Sequence, residues 1–96
     1  MIQDPRGVEV RALFAAAEFS RARVLEVGCG DGRLTFRYGS VPDTVIGIEP
    51  SADLLVSART ACPANLRGQV TFVQATAPAL PFRDSAFDIV LFAKSL

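Results

Sequence analysis

The chain of 96 residues has no histidine and no tryptophan, only two cysteines, and one each of methionine and tyrosine. Without imidazole, histidine-ligated metal sites and Ser-His-type catalysis are excluded. Two thiols, Cys29 and Cys62, are too few for a disulfide framework and fit a reducing cytoplasm. There is no excess of one charge, since ten Lys and Arg offset ten Asp and Glu, and no basic block marks a nucleic-acid face. No apolar run approaches the roughly 18–20 residues of a membrane span. The first seven residues lack the basic and apolar regions of a secretory signal. Repeats, linkers and low-complexity stretches are missing too. What remains is one small domain, half apolar and able to build a core.

The apolar pattern divides that domain into strands alternating with helices. Asp4-Pro5 reads as a helix start, with Val10, Leu13, Phe14 and Ala17 on one face. A strand is expected over about 23–27, then a short helix carrying Leu34, Phe36 and Tyr38 before Gly39. A second strand runs from Val45 to Ile48. Ser51 caps a helix with a stripe of Leu54, Leu55, Ala58 and Ala61, which Pro63 stops. Third and fourth strands follow at 70–73 and 89–92, joined by a turn-rich crossover from Ala75 to Ala86 with at most one helical turn. Strands separated by helices pair in parallel through right-handed crossovers, which gives an α/β fold.

The chemistry concentrates in Val24-Leu25-Glu26-Val27-Gly28-Cys29-Gly30-Asp31-Gly32. A buried strand ends in an acid and turns sharply, with glycines at alternate positions exposing backbone to a ligand. A side chain at Gly28, Gly30 or Gly32 would hold a cofactor away from the main chain. Seventeen residues after Gly32, the second strand ends in Glu49, where a carboxylate can take both hydroxyls of a ribose. The pair points to an adenosine-containing cofactor across the ends of parallel strands. The dinucleotide fingerprint G-x-G-x-x-G requires glycine at position 33, where this chain has Arg33. That spacing weighs against a nicotinamide-dependent oxidoreductase, which stays as a rival reading.

With Glu26, the three glycines and the Glu49-Pro50-Ser51 corner, the chain resembles the class I S-adenosylmethionine-dependent methyltransferases. The likeness runs from about Arg23 to the end, through Phe72-Val73-Gln74 and the stretch from Leu80 to Val90, which is similar to the small-molecule branch. It implies a Rossmann-like parallel sheet with helices on both faces, of strand order 3-2-1-4-5-7-6. This chain would supply the first four strands, so 1–96 is expected to be the N-terminal cofactor-binding half of the domain. The implied activity is methyl transfer from S-adenosylmethionine to a small-molecule acceptor. The implied contacts are Glu26 toward the methionine end, the backbone of Gly28, Cys29, Gly30 and Gly32, Glu49 on the ribose, and Pro50 and Ser51 beside the adenine. After the third strand the family commonly has an acid; here Thr76 stands in its place, and the Ala77 amide could serve adenine N1. Glu26 has a plainer alternative, satisfying amides of the glycine turn, and Asp31 and Ser51 have helix capping. Asp88 reads as a turn or cap, Lys94 as a solvated lysine, and Phe82, Phe87 and Phe92 as core. An exposed edge on the fourth strand leaves two further possibilities, self-association or an inactive half-domain that needs a partner.

Overall fold

The structure, a computed structural model, describes residues 18–76 and 86–93. The expected N-terminal helix, most of the Ala75–Ala86 crossover with Phe82, Ala77 and Lys94 lie outside them. Four strands form one sheet: β1 (Arg23–Val27), β2 (Thr44–Ile48), β3 (Val70–Val73) and β4 (Ile89–Phe92). Their order is β3-β2-β1-β4 and every pairing is parallel. Each is short and rich in Val, Ile and Phe, which suits the pleated, buried surface of a parallel sheet. Glu26 sits opposite Gly47 on one side and Leu91 on the other.

The helices follow the strands they cover. α1 (Thr35–Tyr38) is a single turn that springs from the glycine turn, the Phe36 amide donating to the Gly32 carbonyl at 2.9 Å. α2 (Ala52–Ala61) starts as expected: the Ser51 hydroxyl accepts from the Leu54 amide at 3.3 Å, satisfying one of the donors a helix start leaves open. A 3-10 turn, Ala64–Leu66, then leads into β3. Right-handed crossovers along the order 3-2-1 place α1 and α2 on one face. There Leu34, Tyr38, Leu55, Ala58 and Leu66 pack on Val24, Val45, Val70, Phe72 and Leu91. Each fully buried side chain of this size contributes roughly 1.5–3 kcal/mol.

The opposite face carries Leu25 and Ile48, both buried, together with Val90 and Phe92, which are 52 % and 43 % exposed. Phe92 therefore corrects the core assignment made from its aromaticity. Alternate residues of a strand face opposite sides, so burial of Leu91 turns its neighbours away from the packed helices. Side-chain contacts also tie the edge strands. Arg59 donates to the Phe72 carbonyl at 2.8 Å on β3. Asp88, expected as a turn or cap, instead bonds across the sheet, accepting from the Arg23 amide at 2.9 Å and from its guanidinium at 3.0 Å. That exposed pair holds the Asp88 carboxyl below its usual range, mainly through the side-chain hydrogen bond from Arg23.

Candidate functional site

The C-terminal ends of β1, β2 and β3 converge, and the glycine turn closes over them. Gly28, Gly30 and Gly32 all have positive φ, at 77°, 58° and 88°, a region L side chains rarely enter. A Cβ on Gly32 would stand 2.5 Å from the Phe36 ring, so this position is closed on two counts. The amides of Gly28 and Cys29 both donate to the Ile48 carbonyl, at 2.9 and 3.0 Å, which moors the turn to the end of β2. The Cys29 side chain is buried and lies over Gly47, where a Cβ would approach its Cβ and Sγ to 2.9 Å. Gly47 is thus a glycine because the turn packs against it. The sequence reading missed this; a glycine inside an otherwise β-branched strand was the available signal.

Glu49 is placed where the sequence pointed, one residue beyond β2, and it is 4 % exposed. One carboxylate oxygen accepts from the Gly30 amide at 3.0 Å and the other from the Ser51 amide at 3.1 Å. Its own amide donates to the Val73 carbonyl, and the Ala75 amide donates back to the Glu49 carbonyl. Gln74 adds a bond to the Pro50 carbonyl at 3.0 Å. One side chain therefore fixes the glycine turn, the corner at Pro50-Ser51 and, through backbone, the segment leading to Thr76. Thr76 and Pro50 are exposed at this end, and Ser51 is half-buried.

Glu26 does not take the plainer setting expected of it, that of satisfying amides of the glycine turn. Its carboxyl is fully buried, and the hydrogen bonds it accepts come from side chains and not from amides of the glycine turn. Oε1 accepts from the Tyr38 hydroxyl at 2.5 Å and from the Thr35 hydroxyl at 2.8 Å. Oε2 is buried with no partner. Burial raises the carboxyl to about 7, against the opposing pull of the Tyr38 and Thr35 hydrogen bonds. The same burial, with the nearby Glu26 charge, pushes the Tyr38 phenol well above its ordinary range. Thr35 and Tyr38 were not foreseen as site residues. They lie one helical turn apart on α1, and a threonine and the chain's sole tyrosine on the inward side of a helix were the visible clue. Asp31 closes a local turn by accepting from the Arg33 amide at 3.2 Å, whereas the N-cap of α1 is Leu34 without a side-chain cap. Among the described residues no cluster of metal-ligating side chains occurs, and no helix is long and apolar enough to cross a membrane.

Such a site offers a glycine-rich backbone cradle between two buried carboxyls, at the strand ends where α/β sheets bind ligands. The sequence profile of a family described as "Methyltransferase domain" matches residues 24–96. The chain is 36 % identical over 76 residues to the O-methyltransferase rstn1 of Aspergillus nomiae, covering 77 % of this chain and 34 % of that protein. Its fold is similar to the crystal structure of an S-adenosylmethionine-dependent methyltransferase from Mesorhizobium loti. The TM-score is 0.70 at 26 % identity, over 90 % of this chain and 39 % of that one. It also resembles the [4+2]-cyclase SpnF, at a TM-score of 0.71 and 28 % identity, over 92 % and 36 % of the two chains. The chain belongs to the methyltransferase-domain family, which removes the nicotinamide-dependent reading. It spans about a third or less of the length of the curated relatives it matches.

Proposed function

We propose that residues 1–96 are the cofactor-binding half of an S-adenosylmethionine-dependent methyltransferase acting on a small-molecule acceptor. The observation that carries this is Glu49, a buried carboxylate held by the Gly30 and Ser51 amides at the mouth of a turn with three positive-φ glycines. The residues present fit the cofactor. Glu49 offers a pre-oriented acceptor for a ribose diol, and the turn lets backbone approach the ligand closely. Glu26 adds an orphaned buried oxygen beneath it, complementary to a cation. Pro50 and Ser51 supply one wall for the adenine, and Thr76 supplies a polar group on the β3 side.

When bound, S-adenosylmethionine supplies a methyl group on a sulfonium, activated for in-line displacement. The part of the protein is positioning and exclusion of water. Glu49 orients the ribose, the glycine turn fixes the sugar-to-methionine span, and Glu26 sets the charge below it. No general base is assigned to these residues. The acceptor is inferred to be small because charge is balanced and the stretch from Leu80 to Val90 resembles the small-molecule branch. The thiols of Cys29 and Cys62, not joined to each other, support a cytoplasmic location.

Calorimetric titration with S-adenosylhomocysteine tests this reading. Micromolar binding is expected, weakened roughly 10–1000-fold by Glu49→Ala, since a hydrogen bond to a charged group contributes about 1.5–3 kcal/mol. A folded chain that does not bind overturns it. A second reading, that the chain holds cofactor without turning over alone and associates through β4, is favoured by the exposed Val90 and Phe92. A soluble, active 96-residue monomer in sedimentation and turnover assays would sink that one.

A further inference from the structure

Positioning alone leaves the setting of Glu26 unexplained. Both hydroxyls that reach it, from Thr35 and Tyr38, donate to the same oxygen, Oε1, and all three residues are fully buried. Oε2 is left as the orphan. An ionised carboxyl here carries charge with half its acceptors unserved, a costly state in the interior. Protonation removes the charge, and the proton must sit on Oε2 because Oε1 is already accepting twice. The neighbouring elements bring little that titrates. Tyr38 faces the carboxyl from α1, the Cys29 thiol lies on the glycine turn, and Gly47 and Leu91 stand opposite on β2 and β4. Glu49 lies past the end of β2, engaged with Gly30 and Ser51. No described cation pairs with Glu26.

We propose that cofactor binding by this chain is proton-linked through Glu26. The carboxyl takes up a proton on Oε2 in the cofactor-free protein and releases it to solvent when the ammonium of the cofactor's amino-acid end is bound. Thr35 and Tyr38 act as positioning residues that decide which oxygen carries the proton. The inference rests on the cofactor reading above. Only the O–H bond breaks, the proton passing to buffer and the carboxylate charge attracting the bound cation through the protein interior. Since Glu26 has no accessible surface, charge and not direct contact is the carrier, and Coulomb attraction is weakly screened across a protein interior. Burial that lifts the carboxyl to about 7 sets the window in which the linkage is read.

The test is calorimetric titration of the full chain with S-adenosylhomocysteine at pH 6, 7 and 8, in phosphate and in imidazole. Proton release makes the enthalpy differ between buffers: about half a proton at pH 7, more at pH 6 and little at pH 8. Affinity should be about tenfold weaker at pH 6 than at pH 8. Glu26→Gln should abolish the buffer difference and flatten the pH profile. Tyr38→Phe keeps the ring but removes a donor that favours the ionised form, so it should move the profile to higher pH; a merely structural tyrosine would not move it. Binding with equal enthalpies in both buffers at every pH overturns the proton link and leaves the cofactor reading standing. Infrared spectroscopy checks the first half without any variant having to bind: the wild-type chain at pH 6 should show a buried carboxylic-acid carbonyl band that Glu26→Gln lacks. Absence of that band overturns the proposal even if no binding is seen, whereas failure of a folded chain to bind overturns the cofactor reading itself.

Discussion

Two glutamates stand at the ends of neighbouring strands, and the fold treats them in opposite ways. Glu49 is met by backbone amides on both oxygens, from Gly30 and Ser51. Glu26 is met by side-chain hydroxyls on one oxygen and by nothing on the other. Both groups are buried, so burial alone does not set their character. Backbone donors are fixed by the chain trace and suit a charged group whose orientation must not change. Hydroxyls on a single turn of helix leave Glu26 poised between two protonation states. Glu49 is held through both oxygens; Glu26 is held through one.

Tyr38→Ala is the strongest way to break this contrast. The ring is fully buried and packs edge-on against Phe19, with centroids 5.3 Å apart. Removing it deletes both a core side chain and the closest donor to Glu26. We expect a loss of about 3–5 kcal/mol, as for other large aromatic truncations, read as a lower midpoint in denaturant unfolding. A loss near zero would mean that α1 is not part of the folded core.

The next effect is on stability against pH, and it comes from Glu26. The folded protein holds the Glu26 proton more tightly than the unfolded chain, at about 7 against 4.5. Stability from this group is therefore fully present below about pH 4.5 and is lost as pH rises through 7. The span is at most about 3 kcal/mol. Glu26→Gln cannot ionise, so it should lose this slope and match or exceed the wild type at pH 8 while binding cofactor less well. Thermal unfolding of both proteins from pH 5 to pH 8 checks this. A wild-type midpoint that rises over that range because of Glu26 would contradict it.

Much of this was legible in the sequence, and what was not has a physical reason. Strand limits at Arg23–Val27 and Val70–Val73, the Ser51 cap and the stop after Ala61 follow from periodicity and local hydrogen bonding, which a linear sequence carries. Glu49 was readable because its role depends on a strand end and the corner after it. The Tyr38–Glu26 bond was not, because it depends on how far the glycine turn rotates α1 back over β1. Likewise the Gly47–Cys29 contact needs the pairing of β1 with β2 to be known, and the outward face of Phe92 needs the register of β4. Aromaticity told nothing of which side that ring would take.

A third carboxylate sharpens the comparison by lying at the opposite end of the sheet. Asp88 precedes β4 and pairs with Arg23, 65 residues away, through the backbone amide and the guanidinium. Both side chains are about half exposed, at 52 % and 48 %. Water screens the pair and would solvate either partner if the other were removed, so the charge itself adds little. What Asp88 contributes is register, since its own amide donates to the Arg23 carbonyl at 2.8 Å and begins the β1–β4 ladder. Asp88→Asn keeps an acceptor for the Arg23 amide and should leave the unfolding midpoint nearly unchanged. It should leave S-adenosylhomocysteine affinity unchanged as well, because this pair sits at the strand starts and the site at the strand ends. A loss of cofactor affinity in Asp88→Asn, with stability intact, would mean that the two ends of the sheet are coupled and that burial is not what separates working carboxylates from structural ones.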